Sequence, residues 1–208
     1  VAHSYWLTIA AALALLPLPG DGELSAAAEP AAWRQSVTAD LRPGDIVFRR
    51  GVGPTADAVS LASLSSAGMV AWTHVGIVAQ LVKDGPLYVV HAIDDRGVVM
   101  DPPERFFSAA ESSAGTFVRL GGGEGVARIA MGFVGRAFDA SLSLFDHEDF
   151  YCTELIFVSM RQAGIRLDIP LRKLPMHEEP VMFPDDLYRV LVAHFRAMLP
   201  PTTKTAAE

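Results

Sequence analysis

The side chains with the widest chemical reach in this chain are its one cysteine and its six histidines. Cys152 lies in Tyr151-Cys152-Thr153-Glu154-Leu155, where an amphipathic helix is expected to begin, with Asp149 or an earlier polar residue as its cap. A helix N-terminus carries partial positive charge, which favours thiolate, the nucleophilic form of the side chain. A nearby imidazole would pair with that thiolate and later protonate a leaving group. His74 opens the segment His74-Val75-Gly76-Ile77-Val78, and His91 ends Tyr88-Val89-Val90-His91. If Ala79 pairs with Pro86, His74 stands directly opposite His91 with Cβ atoms about 5 Å apart. His91 would then hold the tautomer of His74, as the third member of a triad does. Each residue also has a plainer reading. A lone cysteine is more often a small buried apolar residue, and a lone histidine at a strand end is more often a surface group.

These residues need elements to position them. Ile46 to Phe48, His74 to Ala79, Leu87 to Ala92, Gly97 to Met100 and Thr116 to Leu120 read as strands, punctuated by Gly and Asp turns. Asp45 reads as a turn former. Helical periodicity marks residues 55–66, 102–110, 124–141 and 151–163, and a last helix starts at Pro184. Mixed helices and strands with antiparallel hairpins in the middle imply an α+β fold. The organisation expected is a signal peptide over residues 1–28, a linker over 29–40, one domain over 41–199 and a tail over 200–208. The signal peptide rests on the apolar run from Trp6 to Pro19, followed by Ala26-Ala27-Ala28. That run is shorter than the roughly twenty residues of a membrane span, so no stable span is expected after cleavage. Residues 1–5 lack the Lys or Arg that usually open such a segment.

Composition narrows the function classes. Half of the 208 residues are hydrophobic and the formal net charge is -7, which fits a globular domain. Basic pairs occur only at Arg49-Arg50 and Arg172-Lys173, so the basic face of a nucleic-acid binder is missing. One cysteine cannot build a Cys-rich zinc site, and neither a metal nor a cofactor is expected. In an exported chain it is free, intermolecular or catalytic. His147, His177 and His194 match no motif and read as surface residues.

Gly44-Asp45-Ile46-Val47-Phe48, His74-Val75-Gly76-Ile77-Val78 and Val90-His91-Ala92 resemble, in that order, the strand motifs of the NlpC-type papain-like cysteine hydrolases. In ordinary members the cysteine helix precedes these strands, whereas Cys152 follows them. That order is similar to the circularly permuted branch, specifically the YiiX/YebB-like hydrolases. Phe138-Asp139 and Phe183-Pro184-Asp185-Asp186-Leu187 also fit that branch, and the likeness spans about residues 40 to 190. It implies a papain-like antiparallel sheet packed against the cysteine-bearing helix, with Cys152 as nucleophile and His74 as base. His91 matches the third, polar position. The activity implied is an exported cysteine peptidase or amidase, periplasmic or secreted from a bacterium, working through a thioester on peptide or amide substrates such as peptidoglycan fragments. The alternatives are a lipid-directed thioesterase or acyltransferase, whose acyl pocket residues 55–72 would line, and a non-catalytic binding module.

Overall fold

The computed structural model describes residues 30–63, 72–144, 148–174 and 177–198. The expected signal peptide and tail lie outside them. The elements in chain order are α1 Pro30–Ala39, β1 Ile46–Arg50, α2 Pro54–Ala62, β2 His74–Gln80, β3 Leu87–Ile93, β4 Gly97–Asp101, α3 Pro103–Phe106, β5 Ala114–Val118, α4 Gly123–Met131, α5 Cys152–Gln162, β6 Leu171–Lys173, β7 Pro180–Met182 and α6 Pro184–Met198. The first five strands form an antiparallel sheet in the order β4-β3-β2-β1-β5, and β6 and β7 form a separate ribbon. The fold is therefore α+β.

Both faces of the sheet are covered, because both sets of alternating strand residues are apolar. Ile46, Phe48, Val75, Ile77 and Val90 pack against Val126 and Ala130 of α4, Leu155 and Ile156 of α5 and Leu187 and Leu191 of α6. Val47, Val78 and Val89 face the other way, against Phe106, Phe107 and, on α1, Trp33. The α1 segment differs from the expected linker. It is a helix tied down by Arg34, which donates to the carbonyls of Phe107 (2.8 Å) and Ser112 (2.7 Å). Trp33 adds an edge-on contact with Phe107.

Gly44 adopts φ 91° and brings β1 against the start of α4. A Cβ there would lie 2.4 Å from the Gly123 carbonyl carbon, so only glycine permits this approach. Beside it Asp45 is a latch. Its carboxylate accepts the Arg42 N–H at 2.8 Å and the Arg119 guanidinium at 3.0 Å. The helix expected over 124–141 stops at Met131, and β6 and β7 were not anticipated. Their strands have three residues each, too short for an alternating pattern.

Candidate active site

Pairing of β2 with β3 runs from Gln80↔Leu87 to Ile77↔Val90, while β1 stays paired with β2 as far as Arg49↔His74. The two strands part before His74. The register is two residues away from the one expected, so His91 falls opposite Gly76 rather than His74. The cause is the placement of the connection, which has six residues in both registers but spans Leu81–Pro86, one residue later than the expected pairing assumes. A turn from Val82 to Gly85 sits beyond the last pair, held by the Gly85 N–H on the Val82 carbonyl (3.0 Å) and by Gln80 on the Gly85 carbonyl (2.7 Å). Period-2 alternation still gives the two histidines one face. A Cβ on Gly76 would lie 3.1 Å from that of His91 and 2.5 Å from Val89. Its absence lets the His91 ring lean across to His74, and the His74 Nε2 to His91 Nδ1 distance is 2.8 Å.

Behind His91 stands Asp101, a residue the sequence reading did not select. Its Oδ2 lies 3.2 Å from His91 Nε2. Arg96 grips both carboxylate oxygens, at 3.1 and 2.6 Å, and Arg105 approaches to 3.5 Å. The grip of Arg96, more than the His91 contact, holds the Asp101 carboxyl below the usual carboxylate range. Burial keeps His91 neutral, at about 4, and Arg49 adds to the effect. Burial, again helped by Arg49, also carries His74 well below the ordinary imidazole value.

These states fix the protons. Asp101 is an acceptor, so His91 Nε2–H donates to it. His91 Nδ1 is then a lone pair, and His74 Nε2–H donates to that. His74 is left with an unprotonated Nδ1, the form a general base requires. The ring of Phe106 packs against both imidazoles, with centroids 5.6 Å from His74 and 5.1 Å from His91.

Cys152 is the first residue of α5, and the N-cap is Tyr151 with no side-chain hydrogen bond. The expected cap from Asp149 is not formed. α5 packs on the face of the sheet opposite to the one His74 and His91 share. The two sides meet where β2 and β3 part, and there Cys152 and His74 line the same cavity. The Cys152 sulfur lies 3.8 Å from the Thr153 hydroxyl. No hydrogen bond joins it to His74 among the described residues. Burial pushes the thiol up, against the lowered value that the helix N-terminus alone leads one to expect. The Thr153 hydroxyl, the backbone N–H groups of Val75 and Thr153 and the charge of Arg49 offset part of that.

The cavity has a volume of about 210 Å³. Its walls are mostly apolar, with Val52 and Val59 at α2, Phe138 and Leu142 before the cysteine helix, and Met182 and Phe183 after it. The flanking motifs thus converge on Cys152. Asp139 and Asp186 act as scaffolding. Asp139 accepts the Ser141 and Ser143 N–H groups at 2.7 and 2.6 Å, and Asp186 takes a two-bond clamp from Arg172 at 2.6 Å each. Both ring nitrogens of His177 lie 2.6 Å from backbone carbonyls, those of Ser141 and Glu179. His147 lies outside the described residues. Among those described, no group of three or more His, Cys, Asp or Glu is placed to hold a metal ion. No described helix is long and apolar enough to cross a membrane.

No protein-family model matches the chain, and no curated protein matches it in sequence. Solved structures similar to it include that of metalloprotein yiiX from Escherichia coli O157:H7, also described as DUF1105. The likeness has a TM-score of 0.56 at 22% identity and covers 72% of this chain and 92% of that one. At that identity the likeness is one of fold, and the α+β architecture of this chain is YiiX-like.

Proposed function

We propose that this chain is a cysteine hydrolase of the circularly permuted papain-like type. One observation carries the reading. The cavity that exposes Cys152 at a helix N-terminus also exposes His74, whose free Nδ1 is set by the chain through His91 to Asp101. In the reaction the thiol proton passes to His74 Nδ1 as sulfur attacks a carbonyl carbon. The leaving amine or alkoxide takes that proton as the thioester forms, and water then releases the acid. In this reading the Cys152 backbone N–H steadies the oxyanion. Asp101 is added to the expected set as the group that fixes His91.

Peptide amides are the first substrate class, and export would bring cell-wall peptides within reach. The apolar cavity favours a second reading, a long-chain acyl ester or thioester. The yiiX protein is described as a metalloprotein, but the described side chains here do not form a metal-binding group, and no step is routed through one. The test pairs a peptide amide with a long-chain thioester, with mass spectrometry of the protein during turnover. An acyl adduct on Cys152, absent in Cys152→Ala, is expected. Turnover by Cys152→Ala would refute the mechanism. A Cys152 inert to thiol reagents would favour a binding module.

A further inference from the structure

Arg49 is absent from the roles above, yet it stands beside His74 in the β1–β2 register and lines the same cavity as Cys152. It is 6% exposed. Burying a guanidinium costs free energy unless all its donors are met. Here Nη1 donates to the Phe106 carbonyl at 2.7 Å and Nη2 pairs with Glu111 at 3.1 Å, while Nε is buried with no hydrogen-bond partner. The guanidinium carbon lies over the Phe106 ring, 4.8 Å from its centroid. A well-packed apolar residue would serve a structural purpose better. Arg49 is also the one Lys or Arg lining the cavity among the described residues. With both imidazoles neutral, no imidazolium is at hand to pair with a thiolate.

We propose that Arg49 is the counter-cation of the Cys152 thiolate, and that Glu111, across the cavity rim, sets how much of that charge the sulfur feels. Arg49 is a positioning residue in this role, acting through the nucleophile, and the inference rests on Cys152 being that nucleophile. Its charge favours the thiolate and disfavours protonation of His74 and His91, so it supplies beside the sulfur the positive charge that the neutral imidazoles do not. Glu111 is 43% exposed at its side chain and partly neutralises Arg49. The other titratable or charged groups around the sulfur are His74 and, beyond it, His91 and Asp101 from the sheet, Asp94 on the cavity lining after β3, Tyr151 at the N-cap and Glu154 on its own helix.

The experiment is the rate of Cys152 alkylation by iodoacetamide against pH, in the full chain, with no substrate. Arg49→Gln should raise the midpoint by about one pH unit, slowing alkylation below it about tenfold, and Arg49→Lys should restore most of the rate. Glu111→Gln should move the midpoint the opposite way, because it unmasks Arg49. A merely structural ion pair predicts the same direction for both variants, or no change, and either result overturns the proposal. If Arg49→Gln does not fold, Glu111→Gln decides alone, and an unchanged or raised midpoint overturns it. A wild-type Cys152 that resists alkylation at every pH defeats the nucleophile reading itself, and the proposal with it.

Discussion

The two walls of the cavity are built differently. The polar wall presents Arg49 and His74 to the cavity, and His91 and Asp101 stand behind His74 on paired strands, almost fully buried. The opposite wall comes from α2, the loops that flank α5 and the end of β7, with Val52 exposed to 48% and β-structure limited to a two-stranded ribbon. Strands fix side chains to within tenths of an ångström, while loops tolerate change. For the proposed hydrolase the comparison implies a division of labour: proton chemistry on the sheet, substrate choice on the loops and α2.

Substitutions of Cys152 and of the polar wall should therefore act on turnover with every substrate. Cys152→Ala is expected to abolish hydrolysis with the fold intact, read as loss of product with unchanged circular dichroism. His74→Ala should follow, at about a thousandfold in kcat, within the range for a general base. Asp101→Asn should cost roughly ten- to a hundredfold, the scale for groups that orient a functional side chain. It removes the fixed charge that holds His91 Nε2–H in place and weakens the Arg96 clamp. Equal losses for His74→Ala and Asp101→Asn would mean that the relay, rather than His74 alone, is the base.

On the apolar wall the expectation differs in kind. Val59→Phe should fill space in the cavity and lower kcat/KM for a long-chain acyl substrate by roughly tenfold, on the scale of one or two methylenes of misfit. A short peptide should be affected far less. A uniform loss across both substrates would erase the distinction between the walls.

Much of the polar wall was legible in the sequence, because strand residues carry period-2 and turn signals. Cys152 and His74 were singled out from motif order, and the two line one cavity. The relation of His74 to His91 was right in face but wrong in register, since where the strands end and the Leu81–Pro86 connection begins has no periodic signature. Asp101 was missed, although it sits two residues beyond Val99, the register partner of His91. Continuing the β3–β4 alternation would have found it. Arg49 was counted as part of a basic pair, because burial of a guanidinium depends on Phe106 and Glu111, which are distant in sequence. The helical nature of 30–39 was hidden by its Pro- and Ala-rich composition, and its anchor, Arg34, bonds to carbonyls more than seventy residues away.

The last expectation concerns pH, and it separates the walls without any substrate. His91 is held neutral to about 4 in the fold, against 6.5 for an unperturbed imidazole. Between those values the unfolded chain binds a proton that the folded chain does not. Stability must then fall as pH drops from 6.5 towards 4, by up to on the order of 3 kcal/mol. His74, also depressed, acts in the same direction. Asp101 adds a further loss only below the ordinary carboxylate value of 3.8. The opposite slope would follow if His91 were an imidazolium paired with Asp101, for its folded value would then be raised and acid would stabilise. Urea unfolding at pH 7 and pH 5 distinguishes the two. The wild type should be weaker at pH 5, His91→Gln should lose much of that difference, and Val59→Phe should keep it. Equal stability at both pH values would show that His91 is not held neutral, and the tautomer chain that frees His74 Nδ1 would lose its basis.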